Sequence, residues 1–93
     1  MVKAEAVPVF ENDEVRVTEW RFAPDAATGH HRHLFDYVVV PLTPGRMRIL
    51  EDGEERFSDL SPGVAYFRPA GVEHDVFNGG DEELLFVEIE VVR

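Results

Sequence analysis

The sequence contains no cysteine, so a disulfide framework and a thiolate metal site are both excluded. It also has no apolar run that approaches the roughly 20 residues needed to span a bilayer as a helix. The first residues, Met1–Glu5, lack the basic and apolar segments of a signal peptide. We therefore expect a cytoplasmic protein that does not insert into a membrane.

Basic residues are scarce. Nine Lys and Arg oppose nineteen Asp and Glu, which gives a formal net charge of −10 over 93 residues. A chain with this charge repels phosphate backbones and anionic lipids, so nucleic acids and membrane surfaces are poor partners. We expect the partner to be a small-molecule substrate instead.

Helical periodicity is absent as well, because no window of a dozen residues has helical spacing. Short alternating segments separated by turn residues predict a sandwich or barrel of eight or nine strands. The pair Asp52-Gly53 between two such segments predicts a hairpin. With 93 residues there is room for one core, so we predict a single all-β domain over residues 1–93.

Two segments show how the alternation works. Val15 and Val17, then Trp20 and Phe22, are apolar, and the change of phase between the two pairs indicates a β-bulge near Thr18. Near the end of the chain the residues at alternate positions differ in polarity, which predicts a half-buried antiparallel strand. One face of that strand carries Leu85, Val87, Ile89 and Val91, and the other carries Glu88 and Glu90.

The segment Tyr37–Leu42 is apolar on both faces. One face must join the core, and the other must meet a second surface. That surface is either a second copy of the chain, which predicts a homodimer, or the N-terminal segment Val7–Phe10. The sequence leaves these two alternatives open.

The residues with metal chemistry are His31, His33 and the distant His74. Residues two apart on a strand point to the same side, so His31 and His33 can share a cavity while His30 points away. Imidazole is a ligand for Zn, Fe, Ni, Cu and Co, and a third histidine would leave coordination positions open. Taken alone, an H-x-H pair is more often two surface histidines near a loop.

A second segment strengthens the case. Gly63, Pro69, Gly71, His74 and Asn78 follow the pattern G-x5-P-x-G-x2-H-x3-N at every defined position. The proline and the second glycine suit a tight turn that delivers the histidine to the start of a strand. This segment, residues 63–78, resembles the second motif of the cupin family.

The first cupin motif, G-x5-H-x-H-x3,4-E-x6-G, is matched more loosely over residues 25–45. His31 and His33 fit, but Asp25 stands at the leading glycine, and the glutamate has no counterpart at its usual position. The nearest carboxylate is Asp36. It is a shortened fourth metal ligand, a turn residue, or an acceptor that orients a ligand histidine.

The resemblance extends from Val15 to Val91. Within the family, the sequence looks like small bacterial single-domain cupins, some of which are labelled β-alanine degradation proteins. It implies a double-stranded β-helix, or jelly-roll barrel. It also implies one divalent metal ion (Fe, Zn, Ni or Mn) held by His31, His33, His74 and, if it is a ligand, Asp36.

The family hosts many functions, so the fold alone does not identify the reaction. We expect a metal-dependent enzyme of dioxygenase or isomerase type, the former favoured, that acts on a small organic acid or amine. The alternative is a non-catalytic module that binds a metal or small ligand. Tyr66 and Arg68 share a strand face and are candidate catalytic residues, the first as an acid or donor and the second as an anion clamp. Arg46 and Arg48, on the neighbouring strand, are similar candidates.

Overall fold

The computed structural model describes residues 2–93, which form eleven β-strands and, within that range, no helix. This confirms the predicted all-β class. No helix in this part of the chain is long and apolar enough to cross a membrane. The strands are β1 Val2–Lys3, β2 Glu5–Glu11, β3 Val15–Phe22, β4 Ala26–Ala27, β5 His31–Arg32, β6 Asp36–Pro41, β7 Gly45–Glu51, β8 Glu54–Leu60, β9 Tyr66–Arg68, β10 Glu73–Asn78 and β11 Leu84–Val91.

Two sheets face each other across one apolar core. The first has the order β1-β4-β10-β7-β8, with β5 paired to β10, and the second has the order β2-β3-β11-β6-β9. All pairings are antiparallel except that of β1 with β4. The buried side chains of the core come from both sheets: Phe22, Ala26, Tyr37, Val39, Met47, Ile49, Leu60, Val76, Leu84 and Phe86.

The predicted hairpin is confirmed. Asp52 and Gly53 have φ values of 56° and 76°, and Glu51 pairs with Glu54 across the turn. Two consecutive residues with positive φ are typical of the two-residue turn that matches the twist of antiparallel strands. The hairpin joins β7 to β8 and fixes Met47 and Ile49 on the core side of the first sheet.

The bulge predicted in β3 was wrong. The register of β3 with β11 runs without a break from Phe22–Leu84 to Val15–Val91, and the irregularity lies in β2, between Pro8 and Phe10. The change of phase in β3 has another cause, because this strand buries side chains on both faces. Phe22 is buried in the core, and Val17 is buried on the opposite side of the sheet.

The faces of β11 are also arranged differently from what its polarity suggests. Leu84, Phe86 and Glu88 are the buried residues and point into the barrel, whereas the apolar residues between them are only half-buried on the outer side. A glutamate therefore occupies an inward position of the second sheet.

The two-faced strand β6 has Tyr37, Val39 and Pro41 buried on its inner side. Its outer residues, Val38 and Val40, are half-buried. The N-terminal segment does not cover them, so that alternative was wrong. Residues 5–11 instead form β2, which pairs with β3. In the second sheet, β3 and β11 lie between β2 and β6.

Candidate metal centre

Two of the three histidines face each other across one pair of strands. His31 on β5 is the register partner of His74 on β10, so their side chains leave the same face of the first sheet. Directly opposed residues of an antiparallel pair have Cβ atoms roughly 4.5–5.5 Å apart. On its other side, His74 is opposite Glu51 of β7, which makes a row of three polar side chains across the sheet.

The third histidine is held by the turn that precedes β10. The His33 N–H donates to the carbonyl of Val72, and the Gly71 N–H donates to the carbonyl of His33, both at 2.8 Å. Gly71 has a φ of 92°, a left-handed conformation that strains residues with a Cβ atom. The Pro69–Gly71 turn of the second motif therefore fixes the position of a ligand from the first.

The three imidazoles converge through their Nε2 atoms. The Nε2 of His33 lies 3.1 Å from the Nε2 of His31 and 3.1 Å from that of His74. Metal–nitrogen bonds of about 2.0–2.1 Å place neighbouring ligand atoms roughly 2.8–3.4 Å apart in octahedral or tetrahedral sites. The spacing of the nitrogens therefore fits one metal ion. Within residues 2–93, no other group of three or more histidine or carboxylate side chains brings its possible ligand atoms this close together.

The tautomer of His31 suits a metal ligand. Its Nδ1 lies 2.8 Å from the carbonyl oxygen of Gly29 and 3.2 Å from the hydroxyl of Thr28. Because a carbonyl oxygen can only accept, Nδ1 carries the proton, and the lone pair of Nε2 points to the other two rings. Hydrogen bonds of this kind orient ligand histidines in metal sites.

The other two histidines are kept neutral by their surroundings. Burial, with the neighbouring His31 as the next cause, lowers the pKa of His33 to about 4 and that of His74 to about 3. Only the neutral imidazole offers a lone pair to a metal. The rings of His33 and His74 are thus in their ligand form at neutral pH without a bound ion.

Asp36 lies away from the three histidines. Its side chain is exposed, and its Oδ1 accepts a 2.8 Å hydrogen bond from the backbone N–H of Ala70. Since the strand alternates, Tyr37 points inward in its place and stacks on His33. Asp36 therefore makes a turn contact and is not a fourth ligand. The three imidazoles remain as the donor set.

The histidines line a cavity of about 150 Å³ between the sheets. An apolar cavity of this size in another protein holds benzene, so the space suits a ligand of about six heavy atoms. Both predicted catalytic residues, Tyr66 and Arg68, line it. The other lining residues are Trp20, Thr28, Tyr37, Val39, Met47, Ile49, Arg56, Ser58, Val76, Phe86 and Glu88.

Arg68 crosses from β9 to the first sheet. Its Nη2 donates to both carboxylate oxygens of Glu51 at 3.1 Å, and Arg56 donates to the same carboxylate at 3.2 Å. The Nε–H of Arg68 is buried and has no acceptor among the described residues.

Arg46 and Arg48 do not line the cavity, so their candidacy was wrong. Arg46 pairs with Asp59 and Arg48 with Glu55, both at 2.9 Å on the outer side of the first sheet. The intervening Met47 takes the inward position of β7. Strand alternation therefore separates these two arginines from Arg68.

Two cavity residues were missed in the sequence. Glu88 is 9% exposed, and burial, followed by the charge of Glu90, raises its pKa to about 7. Trp20 has a buried Nε1–H without an acceptor in the described part of the chain. The change of phase in β3 indicated that Trp20 shares a face with the core residue Phe22. Nothing in the sequence indicated that Glu88 faces inward, because a glutamate in an alternating strand is usually on the solvent side.

Comparison with known proteins agrees with this geometry. The Pseudomonas aeruginosa protein named Beta-alanine degradation protein BauB is 53% identical over 91 residues, which cover 96% of each chain. A crystal structure of a cupin domain from Bordetella pertussis Tohama I is 48% identical, covers 97% of this chain and 94% of its own, and superimposes with a TM-score of 0.94.

More distant structures share the fold alone. The polyketide cyclase RemF from Streptomyces resistomycificus is 20% identical, covers 99% of this chain and 69% of its own, and has a TM-score of 0.76. No protein-family model matches the sequence. The two sheets, the three convergent histidines and the near full-length identity to these relatives together show that the chain belongs to the cupin family.

Proposed function

We propose that this cupin is a metal-dependent enzyme that holds one divalent ion on His31, His33 and His74 and acts on a small organic acid or amine. The observation that carries the proposal is the convergence of the three Nε2 atoms at 3.1 Å spacing. A bound Fe, Zn, Ni or Mn ion would supply a Lewis acid with open coordination positions, and iron would add dioxygen chemistry. We favour a dioxygenase-type reaction over isomerisation.

The residues around the histidines can bind and orient an acid. The unpaired Nε–H of Arg68 offers a charge-assisted hydrogen bond to a carboxylate. Burial raises the pKa of Tyr66 to about 12, so its hydroxyl stays protonated and acts as a donor. Both groups come from β9, whose inner face thus provides the polar wall of the cavity.

The size of the cavity limits the substrate. A space of about 150 Å³ suits a molecule of about six heavy atoms. The Pseudomonas relative carries β-alanine degradation in its name, and β-alanine or a product of similar length has this size. We propose a short amino acid or carboxylic acid of that class as the substrate.

Elemental analysis of untagged protein tests the metal site. We expect about one equivalent of a transition metal in the wild type and loss of most of it in His31→Ala and His74→Ala. His30→Ala is the matched control, because His30 is exposed and its Nε2 lies 2.9 Å from Glu73 instead. Full metal retention in both ligand variants would refute the three-histidine site.

The reaction type needs a separate measurement. Protein loaded with Fe(II) under anaerobic conditions would be mixed with β-alanine or propionate and placed in an oxygen electrode. Oxygen uptake in proportion to substrate supports a dioxygenase. Bound metal with neither oxygen uptake nor any change in the substrate by NMR would contradict the enzyme and favour the binding module.

We also propose a homodimer formed through the outer face of the second sheet. Val38, Val40, Val87 and Ile89 are half-buried there, and Phe67 beside them is 59% exposed. These residues lie on adjacent strands, since Val38 pairs with Ile89 on one side and Phe67 on the other. An uncharged strip of this kind on a chain of net charge −10 suits a second copy, which matches it by two-fold symmetry.

A further inference from the structure

Glu88 is a buried carboxyl group for which residues 2–93 provide no partner. It is 9% exposed, lies on the inner face of β11, and lines the cavity that contains the three histidines. Within residues 2–93, no side chain donates a hydrogen bond to its carboxylate and no Lys, Arg or His nitrogen lies within 4.0 Å of it. A buried carboxyl of this kind is costly unless a ligand completes it.

The arginines near the cavity are already engaged by other carboxylates. Arg16, at the open end, contacts Glu11 at 3.2 Å and Glu90 at 3.8 Å. Arg68 and Arg56 both contact Glu51 on the opposite sheet. The protein therefore provides counter-ions for the other acidic groups around the cavity and leaves Glu88 without one.

Two aromatic residues of the second sheet share the inner face with this carboxyl. Trp20 is on the neighbouring strand β3, where its register partner is Phe86, two residues before Glu88 on the same face. Tyr66 lies in the same row as Glu88 across the sheet, since Val39 pairs with Glu88 on one side and with Tyr66 on the other. A carboxylate among aromatic faces is an environment suited to an ammonium group, because both attract a cation.

The side of the cavity that the first sheet provides suits a negative group. His31 and His74 lie on that sheet, and Arg68 reaches it from β9 to contact Glu51. A small ligand between the two sheets would therefore meet the metal-binding histidines and a guanidinium on one side and the carboxylate of Glu88 on the other. A short amino acid carries one charged group suited to each side.

We propose that Glu88 binds the ammonium group of a small amino acid or amine, with Trp20 as its aromatic neighbour, while the histidine side of the cavity takes the carboxylate. The assignment of the carboxylate side rests on the proposed metal function. The assignment of Glu88 to the ammonium does not, since it depends only on residues of the second sheet.

The single tryptophan makes the site directly observable. Trp20 is the only tryptophan in the sequence and lines the cavity beside Glu88, so its indole N–H resonance and its fluorescence report on this site alone. Zinc-loaded protein would be titrated at pH 8 with propylamine, propanol, propionate and β-alanine. These probes share one carbon chain length and separate the ammonium from the carboxylate contribution.

In the wild type we expect propylamine to bind at least about tenfold more tightly than propanol, because only the amine gains a charge-assisted bond. In Glu88→Gln we expect propylamine and β-alanine to weaken by about tenfold or more and propionate to be unchanged. Glu83→Gln is the matched control, as Glu83 is exposed just before β11 and should behave as wild type.

Equal binding of propylamine and propanol to the wild type would overturn the proposal, and that comparison needs no variant. Unchanged amine binding in a folded Glu88→Gln protein would also overturn it. Failure of the metal site would appear differently, as protein without bound zinc and propionate binding that is unaffected by His74→Ala. The amine preference and its dependence on Glu88 would still be measurable in that protein.

Discussion

The imidazole of His33 lies against the phenol ring of Tyr37, with the ring centroids 3.9 Å apart and the planes inclined by 19°. His33 follows the short strand β5, so regular strand pairing does not fix its side chain. Tyr37 is 2% exposed on β6 and is part of the core. The stack therefore fixes the ring plane of a metal ligand against the interior of the protein.

Replacing Tyr37 tests this positioning role. We expect Tyr37→Leu to weaken metal binding by about tenfold or more, the range found when groups that orient metal ligands are removed. Tyr37→Phe keeps the aromatic face and should bind metal as the wild type does. Competition with a chromophoric chelator measures both affinities. Equal affinity in the Leu and Phe variants would show that the stack does not position His33.

Asn78, the last residue of the second motif, has a structural role. Its Nδ2 donates to the carbonyls of Phe22 at 3.1 Å, Ala23 at 3.4 Å and Glu82 at 2.8 Å, and its Oδ1 accepts from the N–H of Gly80 at 2.9 Å. The side chain is 6% exposed and joins the end of β10 to the segment after β3. It is not among the residues that line the cavity.

We expect Asn78→Ala to lower the free energy of unfolding by about 2–4 kcal/mol, because several buried carbonyls lose their donor. The occupancy of the metal site should be unchanged in the fraction that remains folded. Urea unfolding and metal analysis of the same samples measure the two effects. A loss below about 0.5 kcal/mol would mean that water replaces the side chain.

The sequence predicted the parts of the site that strand alternation controls. His31 and His33 were separated from His30 by that rule, and the second motif placed His74. The rule did not reveal which side of β11 faces inward, because apolar residues lie on both faces: Leu85, Val87 and Ile89 on the outer one, and Leu84 and Phe86 on the same face as Glu88. In a closed barrel the inner face of a strand can pass from core to cavity, and Glu88 occupies such a position. The fourth-ligand assignment of Asp36 depended on a loop length, which alternation does not determine.

The same alternation distinguishes the arginines. We expect Arg68→Met to weaken propionate binding by about tenfold through loss of a charge-assisted donor. Arg46→Met removes the same charge from the outer side of the first sheet, where Arg46 contacts Asp59, and should leave binding unchanged. Titration followed by Trp20 fluorescence measures both. Equal weakening in the two variants would indicate a general effect of net charge.

Two exposed phenylalanines, one on each sheet, provide a test of the dimer proposal and its control. Phe67 is 59% exposed on the outer face of the second sheet, and Phe57 is 52% exposed on β8 of the first. We expect Phe67→Glu to convert a dimer to a monomer, because it buries a charge in the apolar strip, and Phe57→Glu to leave the dimer intact. Sedimentation velocity over a range of concentrations measures the mass. A monomeric wild type, or dissociation in both variants, would contradict the interface.

The carboxyl of Glu88 also predicts how stability depends on pH. Burial, and then the charge of Glu90, raises its pKa from the usual 4.5 to about 7 in the folded protein. Between these values the folded chain binds a proton that the unfolded chain releases, so this contribution to stability falls as pH rises through that interval. The shift corresponds to about 3 kcal/mol, and above pH 7 the loss is complete.

Glu88→Gln removes the titrating group and keeps the shape of the side chain. We therefore expect the variant to gain about 2–3 kcal/mol relative to the wild type between pH 5 and pH 8, measured as the difference in free energy of urea unfolding. The buried histidines titrate in the opposite direction but are common to both proteins, so the difference isolates Glu88. Glu83→Gln should follow the wild type at both pH values. A constant difference between Glu88→Gln and the wild type would mean that Glu88 is ionised throughout and has found a counter-ion in solution.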